Sequence, residues 1–324
     1  MPEPPKPRLH RFDTAAGITM VLVVFGHNYF EDFRQDAIYG PLRDFLYQFH
    51  MPVFMFLSGF LVFYAYRPIE SVKAYRQYLF KRGRKFIPIY FLLSVFYILT
   101  DLYLKKYGIE DVPAQIYKML FSPIRGSAGF LWYLYVLLIF YAVIPLLKIL
   151  PRKLLYLIAL AAFMLTFVPL PYIFSLNLVG KYFFFFITGG LMADHMGFFE
   201  TVLPRWGLPF LCLFTLLWVN VFTHTVTVMY QATSVAGIVS ILYVSSSRWV
   251  GKIKLLQSIG RHSFYIYLLN SLVIGIFYLV YHRVGLDSCI PPRIYIVILT
   301  ILGTMLPLWF SIIEGRLSGR KSDG

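Results

Sequence analysis

Apolar runs recur from about residue 14 to residue 313 with only short polar interruptions. A helix of about 20 mainly apolar residues crosses the hydrocarbon core of a bilayer. In that medium only helices and closed barrels satisfy their own backbone groups. Candidate spans lie near 14–30, 46–66, 86–104, 129–149, 153–170, 178–196, 206–223, 226–246, 262–282 and 294–313. They predict an all-α membrane protein, a bundle of about ten transmembrane helices. Hydrophobic residues make up 59% of the chain and charged ones 14%, against about 45–50% and about 25% in soluble domains. No polar stretch is long enough to fold separately. One membrane domain is therefore expected over 13–315, between a disordered, proline-rich basic tail at 1–12 and a cytoplasmic tail at 316–324. The spans 206–223 and 226–246 are joined only through Thr-His224-Thr, which predicts a tight helical hairpin.

The net charge is +15. Its distribution argues against nucleic acid, because the basic residues punctuate the apolar segments and fall mostly on one side. With the N-terminus inside, the inner connections carry more than twice the Lys and Arg of the outer ones, which predicts cytoplasmic termini and a multi-pass protein of the bacterial cytoplasmic membrane. The densest inner connection runs from Arg67 to Lys85. Two cysteines, Cys212 and Cys289, do not make a disulfide framework. No secretory cleavage site follows the first span. There is no metal-ligand spacing, Gly-rich phosphate loop or Ser-centred elbow.

Chemistry is sought in the polar residues that the spans retain. His27 ends the first span. An ionisable group within a span is costly and defaults to function, and an imidazole suits general-base work at neutral pH. The alternative is a helix-end histidine solvated at the interface, and spacing alone does not separate the two. His50 opens the second span in Gln48-Phe-His50-Met-Pro52, so both imidazoles are expected near the outer face in one vestibule. Pro52 is placed in the first turn of its span, and Ser58-Gly59 reads as a close-packing pair. Glu31 and Asp32 follow His27 by about one turn, and either could orient its ring. Lys81-Arg82-Gly-Arg84-Lys85 precedes Pro88 and Tyr90. It fits either a positive-inside cluster or a phosphate-binding doorway. Arg125 and Trp132 flank the fourth span, where Trp132 is by default an interfacial belt residue. Ser263, Tyr267 and Asn270 lie at i, i+4 and i+7, a polar stripe expected to face the bundle interior.

Together these segments resemble the integral membrane acyltransferase family 3, its fucose 4-O-acetylase-like and polysaccharide-modifying branch in particular. The match rests on the first span ending at His27, on FHMPVFMFLSGF (Phe49 to Phe60), on RGRKFIPIY (Arg82 to Tyr90), and on FLWYLYVLLIFY and IGRHSFYIYLLN. The resemblance implies an O-acyltransferase that takes acetyl-CoA or another acyl-CoA from the cytoplasm. It implies no metal, and an acceptor hydroxyl on a glycan or glycolipid outside, with glycan-synthesis machinery as a further partner. His27 would be the catalytic imidazole, with Glu31 and His50 beside it. Arg82, Arg84, Lys85 and Tyr90 would bind the donor, and Asn28, Arg125, Trp132, Tyr267 and Asn270 the acceptor. The chain departs from the family pattern at Ala16, Phe130 and Asn270, where many members carry Arg, His and His. Doorway and imidazole would be separated by most of a bilayer, about 30 Å, so the donor needs a channel. A glycan transporter or export component without transferase activity is the alternative. The sparse polar residues within the spans argue against it.

Overall fold

The computed structural model describes residues 7–28, 30–69, 71–221 and 230–318; the expected hairpin at His224 lies outside them. The α-helices in the first half are α1 (His10–Gly26), α2 (Glu31–Arg34), α3 (Tyr39–Tyr64), α4 (Val72–Tyr103), α5 (Val112–Phe121), α6 (Trp132–Ile149) and α7 (Arg152–Leu165). They continue with α8 (Leu176–Met192), α9 (Leu203–Val221), α10 (Tyr230–Ser246), α11 (Lys254–Arg261), α12 (Ser263–Arg283) and α13 (Pro292–Leu317). No strand occurs among the described residues. Seven helical segments are long and apolar enough to cross a membrane: Tyr39–Tyr64, Val72–Tyr103, Gly129–Ile149, Ile173–Met192, Phe198–Val219, Ser263–Arg283 and Pro292–Leu317. The other three sequence candidates correspond to α1, α7 and α10, with 17, 14 and 17 residues.

Several boundaries differ from those read in the sequence. The helix α1 starts at His10, inside the segment read as a tail. The helix α3 starts at Tyr39, because the Asp36 carboxylate accepts from the backbone N–H groups of Ile38 and Tyr39, both at 2.9 Å. Pro52 consequently lies in mid-helix and not in a first turn. Its missing N–H leaves the Gln48 carbonyl without its helical donor, and the buried Ser234 hydroxyl of α10 donates to that carbonyl at 2.8 Å. The basic connection is also largely helical. Ser71 accepts from Ala74 N–H at 3.1 Å and starts α4, which runs unbroken through Arg82 and Pro88.

The chain forms two compact units, one of residues 1–57 with 195–324 and the other of residues 58–194. The sequence reads as one domain because the first division falls inside α3, with no polar linker to mark it. In the first unit, α1 packs against α10, α11, α12 and α13. Its buried residues, among them Phe12, Ala15, Met20, Val23 and Val24, cover most of its circumference, and Ile18, Leu22 and Phe25 form a half-exposed stripe. It meets α11 backbone to backbone: a Cβ at Gly17 would overlap the Leu256 carbonyl, and one at Gly260 the Asp13 carbonyl. In the second unit, α4 packs on α6, and α8 on α6 and α7. The helix α4 leaves Phe91, Leu92, Val95, Phe96 and Leu99 exposed, an apolar face suited to lipid. Gly59 admits the Phe186 carbonyl of α8 where a Cβ would collide, so Ser58-Gly59 is a packing motif here.

Candidate active site

The first unit builds its site at the C-terminal end of α1. The last carbonyls of a helix lack intrahelical donors, and side chains of α3 supply them. Tyr39 O–H donates to Phe25 O at 2.8 Å, Tyr47 O–H to Gly26 O at 3.2 Å and Arg43 Nε–H to Gly26 O at 3.3 Å. The Arg43 guanidinium also lies 4.6 Å from the centre of the Tyr47 ring. A cation there complements the negative end of the α1 dipole. These contacts fix His27, the next residue, at the helix terminus.

The His27 ring reaches α12. Its Nδ1 is 2.5 Å from Asn270 Oδ1 and 3.4 Å from Ser271 Oγ. Asn270 is fully buried, and its Nδ2 donates to the Ile266 and Tyr267 carbonyls at 2.7 and 2.8 Å. The stripe of Ser263, Tyr267 and Asn270 thus brings its last member to the imidazole. His50 is 2% exposed; its Nδ1 bonds the Leu46 carbonyl, and its ring meets Tyr47 edge-on at 4.8 Å. Tyr47 therefore touches both the residue before His27 and the second imidazole.

The carboxylates near His27 in sequence are held elsewhere. Glu31 accepts from Gln35 at 3.1 Å. Asp32 accepts from Tyr278 O–H at 2.9 Å and lies 3.3 Å from His282. The group on His27 Nδ1 is the amide of Asn270, where the sequence offered Glu31 or Asp32. Asn28 is fully buried. Its Nδ2 donates to Phe25 O at 3.0 Å and to Thr300 Oγ1 at 3.3 Å, which ties the end of α1 to α13. In the connection that follows, Asp36 also accepts from Arg293 at 2.7 Å. Burial pushes the Asp36 carboxyl up, but the Tyr39 N–H, the Arg293 guanidinium and the Ile38 N–H outweigh it and hold it below the usual carboxylate value.

The second unit holds the basic residues. Arg82 turns inward. Its guanidinium lies 4.8 Å from the centre of the buried Tyr141 ring and 5.6 Å from that of Tyr78. It forms no ion pair with a carboxylate among the described residues. Arg84 and Lys85 are exposed. Lys85, at i+3, shares the side of Arg82, whereas Arg84, at i+2, projects from another. Tyr90 donates its hydroxyl to Met119 O at 2.5 Å. Arg125 stacks on Tyr172 at 3.5 Å. Trp132 stacks on Tyr182 at 4.9 Å and 20° and is half-buried.

Arg43, Tyr47 and Ser271 are the site residues that sequence reasoning missed. Tyr39, Arg43 and Tyr47 recur at i, i+4 and i+8, a helical signal hidden by reading 31–45 as a connection. No cluster of three potential metal ligands occurs among the described residues. A family model described as an acyltransferase domain matches residues 9–312. No curated protein and no solved structure matches the chain.

Proposed function

The chain belongs to acyltransferase family 3, a membrane acyltransferase family, and from that premise we propose that it moves an acetyl or similar acyl group from acyl-CoA to a sugar hydroxyl of a glycan or glycolipid. The polysaccharide-modifying branch of the family fits this reading. So do ten spans, with α1, α7 and α10 crossing beside the seven longer segments, and cytoplasmic termini.

The observation that carries the reading is the setting of His27, an imidazole anchored on its Nδ1 side within an apolar bundle. The ring takes the proton of the acceptor hydroxyl as that oxygen attacks the thioester carbonyl. A C–O bond forms and the C–S bond breaks. The CoA thiolate leaves and recovers the proton from the imidazolium. Arg82 serves the donor. A guanidinium held on aromatic faces keeps its charge for phosphate oxygens, and Lys85 lies on the same side of the helix. His50 and Tyr47 complete the surroundings of α1.

Mass analysis of surface glycans from the host with and without the gene tests the class. A difference of one acyl group per modified sugar is expected, and it is lost again with His27→Ala. Unchanged glycans, or full modification by His27→Ala at normal protein levels, would refute the assignment.

A further inference from the structure

We infer that Asn270 is the positioning residue for His27, holding the imidazole in the tautomer protonated at Nδ1 so that the lone pair sits on Nε2. The tautomer follows from hydrogen bonding alone; its catalytic consequence rests on the acyl-transfer reading.

The two ends of a side-chain amide are chemically unlike. One faces the Ile266 and Tyr267 carbonyls at 2.7 and 2.8 Å. Carbonyl oxygens only accept, so that end is the nitrogen and the end facing His27 is the oxygen. A ring carbon could not approach this oxygen to 2.5 Å, since even close C–H···O contacts stay beyond about 3.3 Å. The facing ring atom is therefore nitrogen. An amide oxygen only accepts, so this nitrogen carries the proton. Ser271 O–H, 3.4 Å from the same oxygen, is a second donor to it.

A neutral ring protonated at Nδ1 has its basic site at Nε2. A carboxylate in the place of Asn270 would favour the charged form of the ring. The uncharged amide directs the ring without doing so. That suits a base that must release its proton to the departing thiolate within one turnover.

The test uses the full chain in bilayers with its histidines labelled with 15N. The His27 resonances are assigned by their loss in His27→Gln. At neutral pH, Nδ1 is expected protonated and Nε2 unprotonated. A resting ring protonated at Nε2 overturns the inference without any further variant. Asn270→Leu, which keeps the branched shape and removes the acceptor, should give a mixed tautomer. It should lower kcat on the order of 10²-fold and leave the KM for acyl-CoA within about twofold. Asn270→Asp should restore protonation at Nδ1 and part of kcat, with the pH–rate profile moved to higher pH, because a carboxylate orients the ring but favours its charged form. Full kcat in Asn270→Leu would refute positioning while acyl transfer stands. A native protein with the expected spectrum but no transferase activity would instead remove the reaction and leave the tautomer assigned.

Discussion

His27 and Arg82 are both polar groups in apolar surroundings, yet they are held by opposite means. An amide fixed to its own helix backbone, with a hydroxyl beside it, holds His27. Two phenol rings hold Arg82. An imidazole that moves protons needs a direction, and a hydrogen bond supplies one. A guanidinium that meets an anion needs its charge left in place, and aromatic faces attract the cation without neutralising it. A carboxylate would favour the charged ring in one place and occupy the cation in the other. On the acyl-transfer reading, proton transfer would fall to the first unit and donor recognition to the second.

The largest expected effect breaks the first half of that comparison. His27→Ala should lower kcat by about 10³-fold or more and leave the KM for acyl-CoA nearly unchanged, as steady-state kinetics in detergent would read. Arg82→Ala should do the reverse. Losing a charged hydrogen bond of about 1.5–3 kcal/mol raises the donor KM on the order of 10- to 100-fold, with kcat changed far less. Arg82→Lys should not restore it, because a compact ammonium does not stack as a planar guanidinium does. A large fall in kcat with unaltered KM in Arg82→Ala would collapse the distinction.

Smaller effects separate the chemistry from the scaffold. Ser234→Ala leaves the Gln48 carbonyl of the Pro52 turn without its donor. It should cost about 1–3 kcal/mol of stability, seen as a lower thermal midpoint. Asp36→Asn keeps the acceptor for the Ile38 and Tyr39 N–H groups but removes the ion pair with Arg293, and should cost about 0.2–1 kcal/mol. The Asp36 carboxyl is held below its usual value when folded, so its stabilisation is full above the unfolded pKa of about 3.9. It is lost as pH falls through the folded value, and the native protein and Asp36→Asn should converge in stability at acid pH. Glu31→Gln is the smallest expected change, within about twofold in rate, in keeping with an exposed side chain bonded to Gln35.

Much of this was legible from residue pattern. The apolar runs locate the helices, and the i, i+4, i+7 stripe on α12 points to Asn270. Hydropathy did not place helix ends that are polar. Arg43 and Asp44 concealed the first turns of α3, and the lysines and arginines before Pro88 concealed the first half of α4, although Ser71 is a capping residue with no Gly or Pro in the next ten positions. The partner of His27 was beyond reach for another reason. Glu31 is near in sequence, whereas Asn270 is 243 positions away, and only the packing of α12 on α1 brings it there. The Tyr78–Arg82–Tyr141 stack likewise depends on how α4 meets α6.

Every strong hydrogen-bonding capacity of the Asn270 amide is already committed inside the protein, its two N–H groups to α12 and its oxygen to His27. That side chain has no N–H left to offer an acceptor. On the acyl-transfer reading the acceptor would be chosen mainly by other groups, so alignment of the ring and choice of acceptor would be separable properties. Acceptor preference could then be re-engineered without disturbing the imidazole.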